Sequence, residues 1–465
     1  MNTAPLSDEE LLTRLSEITP ELFTETELLA EWSSDFWPSE AKMEFEEAVL
    51  PVAAVMPSDA EEVAAIVRLA ALAGRPLIPR GGGTNLVGAI EPLPGAILID
   101  LRGLNVIDPV NERNSTVRVD AGVHGGELAD RLEEQGFMLG HEPESLLIST
   151  IGGWIATRGV GTFGTGYGGI GSLVVSLDVI LPDGSAIAVG TGVRAGPALA
   201  ELFIGSEGAF GIVTAATLRV RPIPEKRLFH AFAHPLFTGG LEALRALIAT
   251  GVVPAATKLF DETASESIAY DQQISQPGCL MFLIFEGPGP IVEVQDRLAT
   301  ELLIASGAVD LGSEPAEIWN DERIGSLWYS DGNEGDGRIA DRIDLFAPWD
   351  SLDRILTSVG PALTALGVAF SIDSSQILPH GADLCFGIQI EAEDDDAALD
   401  LHEAAWTAVM ELALTGGARI AHRHGYGRVR TAWLAREFGA SHAALGAIKR
   451  ALDPLGIMNP GRLLL

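Results

Sequence analysis

Residues 421–428 read AHRHGYGR. His422 and His424 stand two apart around Arg423, and Arg428 follows a Gly-Tyr-Gly. An imidazole titrates near neutrality, so either histidine can take or give a proton. In an extended segment, residues i and i+2 share a face. That geometry points both imidazoles at one ligand and turns Arg423 away. Arg428, Arg430 and, far upstream, Lys258 in ATKLFDE are cations able to hold a substrate anion. Cys385 in ADLCFGIQIE is a further candidate at a substrate, although a buried strand cysteine ordinarily acts as a small hydrophobe.

Three glycine-rich segments accompany these residues. The first is Pro79, Arg80, Gly81, Gly82, Gly83, Thr84 and Asn85, directly after the short apolar run PLIP. Three consecutive glycines let backbone N–H groups converge on an anion, and Thr84 and Asn85 add side-chain donors. The second is HEPESLLISTIGGWIATRGVGTFGTGYGG, residues 141–169, where Arg158 is the single cation. The third is LFIGSEGAFGIVT, residues 202–214. Together they suit a long ligand with a diphosphate. GTGYGG, residues 164–169, formally matches GxGxxG, but VVSLDVILPDG follows it as a strand. A dinucleotide loop requires a helix start there, so a nicotinamide site is rejected.

The elements that position these segments can be read from pattern and punctuation. SDEELLTRL carries a capping box, Ser7 with Glu10. SDAEEVAAIVRLAALAG reads as a helix capped by Ser58 and stopped by Gly74. AILIDL, STVRVDAG and GIVTAATLRV read as strands, and VVSLDVILPDGSAIAV reads as a hairpin turned at Asp183-Gly184. Beyond residue 225 helices such as GGLEALRALIATG alternate with strands such as CLMFLIFEG and LCFGIQIEA. The expected fold class is α+β, divided into an N-terminal helical segment (1–47), a cofactor lobe (48–224), a second lobe (225–415) and a C-terminal segment (416–465).

The chain has 465 residues with a formal net charge of −35. Such acidity argues against nucleic acid and anionic membrane as partners, since both need clustered cations. Two distant cysteines give no disulfide framework, which fits a cytoplasmic setting. Neither a signal peptide nor a spanning apolar run is read in the sequence.

PRGGGTN, GHEPESLLISTIGGWIATRG, LFIGSEGAFGIVT and the closing DPLGIMNPGRLL together resemble the FAD-binding family of vanillyl-alcohol oxidase type, also called PCMH-type. The motifs resemble most the alkyldihydroxyacetonephosphate synthase branch. The resemblance implies a two-part FAD domain, an α+β cap domain on an antiparallel sheet, and a C-terminus that returns to the FAD lobe. It places the diphosphate against Pro79 to Asn85. It places the flavin and its ribityl chain against Pro143, Glu144, Ser145, Leu146, Ser149, Gly152, Gly153, Thr157 and Arg158. It places the adenine half against Glu207, Gly208, Gly211, Ile212 and Val213. PRGGGTN holds neither histidine nor cysteine, so non-covalent FAD is expected, with His124 and His141 as other attachment points.

The chain also departs from its resemblances. The synthase branch has a third histidine where Arg423 stands, a tyrosine near Cys385, an arginine at Lys258 and another near Ser330. Arg323, Arg338 and Arg342 are nearby substitutes for the last. The related 2-hydroxy-acid dehydrogenases bind a divalent metal beside a glutamate at position 423, and a guanidinium there disfavours a cation, so no metal is expected. The resulting expectation is hydride transfer from an alcohol, hydroxy acid or phenolic substrate to flavin N5, with His424 or His422 as base. Two alternatives stand beside it: a redox-neutral synthase-like reaction of ether-lipid type, or a metal-dependent D-2-hydroxy-acid dehydrogenase. Trp319, Trp328 and Trp349 suggest a hydrophobic or aromatic substrate, with core packing as the other reading. The electron acceptor is open between oxygen and a carrier, and a homodimer is expected from the relatives.

Overall fold

The computed structural model describes residues 6–37, 49–91, 93–191, 195–276, 278–325 and 336–464. Trp328 and Ser330 lie outside the described residues.

The first sheet runs Leu22–Phe23, Ala53–Val55, Ile97–Asp100, Leu77–Arg80, with the last three strands parallel. Parallel strands are covered on both faces and therefore read as apolar runs, as AAV and ILID do here. The helix Ala60–Ala73 makes the crossover. Its cap is Asp59, whose carboxylate accepts from the N–H groups of Glu61 and Glu62, and not Ser58 as the sequence suggested. Gly74, at φ 63°, ends it. The Ser7–Glu10 capping box of helix Asp8–Ile18 is present. The C-terminal tail joins this sheet: Leu77 donates to the Ile457 carbonyl at 2.7 Å, and Asn459 N–H donates to Leu77 at 2.8 Å.

The second sheet is antiparallel, in the order Thr116–Asp120, Ile212–Arg219, Val174–Ile180, Ala186–Gly190. Its hairpin turns at Asp183-Gly184, with Gly184 at φ 77°. Ile180 and Ile212 reach into the core of the first sheet beside Val63 and Ile99, so the two sheets share packing.

The third sheet has eight strands, all antiparallel, between Lys226 and Glu391. Helices Phe237–Ala249, Gly289–Ala305, Trp349–Ala365 and Asp395–Gly416 cover one face through Leu244, Val292, Ile355, Val359 and Trp406. The cofactor lobe docks on the strand Ala256–Phe260 and its neighbours. The rejected GTGYGG segment makes this contact: Gly166 N–H donates to Ala255 at 3.1 Å, and Thr165 Oγ1 meets Thr257 Oγ1 at 2.9 Å. A Cβ on Gly166 would stand 2.6 Å from Ala255 Cα, so the glycine serves close packing. Among the described residues no helix is long and apolar enough to cross a membrane.

Candidate active site

A cleft holding about 1840 Å³ of non-protein space, open mouth included, runs between the first two sheets and ends under the third. Pro79 to Asn85 line it, in the turn that leaves the strand Leu77–Arg80. The N–H groups of Gly82, Gly83 and Thr84 donate to none of the described residues. Three unspent donors in a row form a nest for an anion. A Cβ on Gly82 would lie 2.1 Å from the Ile148 carbonyl oxygen, so glycine is required there. Arg80 splints the turn from behind, donating to Gly81 O and to Asp100 at 3.0 Å each.

Of the second segment, Pro143, Glu144, Ser145, Ser149, Gly152, Gly153 and Thr157 line the cleft. Two expected members do not. Leu146 is packed into the apolar core with Trp154. Arg158, at φ 55°, ends the helix Ile151–Thr157, and its guanidinium reaches Glu201 at 2.8 Å on the surface. Thr150, Trp154, Gly161 and Thr162 line the cleft without having been singled out. His141, named as another attachment point, also lines the cleft, buried against Trp154 with both ring nitrogens unpartnered. Burial pushes its pKa down to about 3, so the ring is neutral. His124 stands at the N-cap position of the helix Gly125–Glu133, with no side-chain capping bond, and does not line the cleft.

Glu207, Gly208, Gly211, Ile212 and Val213 line the far end. Glu207 also ties segments together. Its carboxylate accepts from the N–H groups of Tyr426 at 2.5 Å and Gly427 at 3.2 Å, and its carbonyl accepts from Asn459 Nδ2 at 2.6 Å.

The AHRHGYGR segment is not extended. Residues 422–424 form a bend, and Asp344 on the strand Arg338–Pro348 makes it. One Asp344 oxygen accepts from the N–H groups of His422 at 2.7 Å and Arg423 at 2.8 Å. The other meets His424 Nδ1 at 2.9 Å and Arg430 Nη2 at 2.7 Å. Burial opposes its charge, yet Arg430 and His424 hold the carboxylate well below the usual range. The shared face expected of the two histidines is therefore corrected. His424 and Arg423 line the cleft, whereas His422 turns onto the Phe346 ring, centroids 5.2 Å apart, with Nε2 buried and unpartnered. His424 Nε2 makes no hydrogen bond among the described residues. Asn85 Nδ2 donates to the His424 carbonyl at 2.7 Å, linking this bend to the glycine turn.

Three more expectations are corrected. Arg428 lies outside the cleft, half exposed beside Gly88, with Glu91 at 3.6 Å. Arg430 is fully buried behind the bend, donating to Gly425 O at 2.6 Å over the Trp406 ring. Cys385 is buried in its strand and does not border the cleft; burial and then Asp373 push its thiol up to about 12.

Lys258 does line the cleft, within a set of ion pairs. Its Nζ donates to Asp373 at 2.5 Å and to Ser375 Oγ at 3.1 Å. Arg423 pairs with Asp383, Arg342 with Glu144 at 2.9 Å, and Arg323 with Glu142. Burial resists ionisation of Asp373, but Lys258, Arg342 and Arg423 hold its pKa at about 2. Arg338 stands exposed with Glu391, 3.6 Å away. Trp319 borders the cleft, whereas Trp349 packs against the third sheet's core and donates to Leu378 O. No local sequence signal marks Asp344 or Asp373, because their partners lie on other strands or beyond residue 420; Asp383 also accepts from the nearby N–H groups of Ser375 at 2.8 Å and Gln376 at 2.7 Å.

The cleft fits a dinucleotide with a diphosphate: it has an anion nest, a long glycine-lined floor and an orphaned neutral imidazole. Comparison with known proteins agrees. The family described as FAD binding domain matches residues 51–190, and the one described as FAD linked oxidases, C-terminal domain, matches residues 223–463. An alkyldihydroxyacetonephosphate synthase of Dictyostelium discoideum is 26% identical over 450 residues, 88% of this chain and 72% of that protein. The glycolate oxidase subunit GlcD of Bacillus subtilis (strain 168) is 27% identical over 432 residues, 89% of each. Among solved structures, an alkyldihydroxyacetonephosphate synthase matches 99% of this chain and 87% of that one, at 23% identity and TM-score 0.83. A 4-ethylphenol oxidase from Gulosibacter chungangensis matches 99% and 98%, at 17% identity and TM-score 0.81.

Proposed function

Since the chain belongs to the FAD linked oxidases, matched over residues 223–463, and FAD is its cofactor, we propose that it oxidises an alcohol-type carbon with His424 as the proton acceptor. The observation that carries this reading is the Asp344–His424 pair at the cleft wall. A buried carboxylate on Nδ1 fixes the imidazole tautomer and leaves Nε2 as the basic atom toward the cleft. FAD, when bound, supplies a two-electron acceptor. The substrate loses a C–H bond with its electron pair and gives its hydroxyl proton to His424 Nε2. A C=O bond forms as the product leaves.

Gly82, Gly83 and Thr84 are the residues proposed to hold the diphosphate, through N–H groups that none of the described residues uses. We propose that FAD is held without a covalent bond. The glycine turn carries neither histidine nor cysteine, and both cysteines are buried. Acid precipitation tests this: yellow colour should leave with the supernatant, and a coloured pellet would contradict it.

The second reading is a redox-neutral synthase reaction, favoured by the synthase relatives. Anaerobic mixing separates the two, because only dehydrogenation bleaches the flavin without a second reactant. A metal-dependent hydroxy-acid reaction fits less well: the Arg423 guanidinium already occupies the acidic group Asp383 and lies 3.7 Å from Asp373.

A further inference from the structure

The cap end of the cleft is electrically balanced. Among the described residues, each of its four cations, Lys258, Arg323, Arg342 and Arg423, has its own carboxylate. Asp344 and Arg430 behind the bend cancel in the same way. We infer that the substrate is a neutral, hydroxyl-rich alcohol, a polyol or an uncharged sugar, and neither a phosphate ester, a hydroxy carboxylate nor an aromatic alcohol. The inference rests on the oxidoreductase reading and names the substrate class for it.

A phosphate or carboxylate entering this end meets no net positive charge. To gain a guanidinium it must displace a buried carboxylate that stays close by as a like charge. Asp373 illustrates the obstacle, ionised and surrounded by Lys258 and Arg423. An apolar ring meets the opposite problem. It would strip water from ion pairs and amides and offer no hydrogen bond in return. Among the described residues at this end, Trp319 and Val160 provide a small apolar wall.

Hydroxyl groups both donate and accept, and this wall presents both needs. Among the described residues Arg423 spends only Nη2, on Ser375 and Asp383, leaving Nη1 and Nε as donors. Gln376 spends its amide on Gly164 O at 2.8 Å and leaves Oε1 as an acceptor. His424 Nε2 is the acceptor for the hydroxyl that loses its proton.

The test uses the purified holoenzyme under anaerobic conditions with matched ligand sets. One set is glycerol, glycerate and glycerol 3-phosphate; the other is glucitol, gluconate and glucitol 6-phosphate. Binding is read from perturbation of the flavin spectrum and reaction from bleaching. In each set the neutral member should bind at least about tenfold more tightly than its charged partners. Asp373→Asn adds one net positive charge and should narrow or invert that preference, with Glu144→Gln as a second variant if the first fails to hold FAD. Tighter binding of a charged member by the parent, or no response to either polyol, overturns the inference. Bleaching by charged members alone keeps the oxidoreductase reading and sinks the substrate class. Spectral binding of polyols without bleaching does the reverse.

Discussion

Replacing Asp344 by asparagine removes the charge on which the AHRHGYGR bend is built. Asp344 and Arg430 are both fully buried, 2.7 Å apart. The variant strands the Arg430 guanidinium without a counter-charge, which costs roughly 3–5 kcal/mol. The sign of the pH dependence follows from the depressed pKa of Asp344. Its stabilising contribution is complete above the unfolded-state pKa of about 3.9 and is lost as pH falls through the lower folded value. The gap between parent and variant should therefore hold from neutral pH down to mild acid and close below it. Denaturant unfolding at several pH values reads that gap. Flavin reduction reads the second effect. His424 loses the acceptor on Nδ1, and a misoriented base should slow proton transfer by about 10² or more. A variant that unfolds with the parent at pH 7 and reduces its flavin at the parental rate would refute the role of Asp344.

His422→Phe should leave flavin reduction near the parental rate, since His422 already stacks on Phe346 and not on the cleft; a collapse in rate would restore it as the base. Gly82→Ala places a Cβ 2.1 Å from the Ile148 carbonyl. It should weaken FAD retention by at least about tenfold, measured as flavin per protein after dialysis. Lys449→Met leaves Asp453 buried and unpaired, and unlatches the tail that Lys449 holds through Ala209 O at 2.7 Å and Met458 O at 2.6 Å. Equilibrium unfolding should fall by roughly 3–5 kcal/mol.

The cofactor half of the cleft was legible because backbone nests and close approaches demand glycine, and PRGGGTN and STIGGW show it openly. Leu146 and Arg158 were misplaced because a segment that lines a cleft still sends some side chains into the wall behind it. The catalytic end was less legible. The two-residue periodicity of AHRH assumed an extended chain, and a single carboxylate 78 residues upstream of His422 bends it instead. Arg423 thus turns inward and His422 outward. Lys258 was found by its charge, but its neutralisation by Asp373, 115 residues away, has no local mark. That Arg423 stands where the resemblance implies a glutamate of a metal site or a third histidine was an expectation from the sequence. Its pairing with Asp383, which turns an odd residue into part of a balanced wall, required the fold.

In the proposed reaction His424 takes a proton as the substrate gives up two electrons. Anaerobic stopped-flow mixing of the FAD-loaded protein and its His424→Asn variant with a reducing polyol tests it most directly. Rapid bleaching is expected in the parent. In the variant, FAD content should be unchanged while the bleaching rate at saturating polyol falls by about 10²–10⁴. Equal bleaching rates in the two proteins would contradict it.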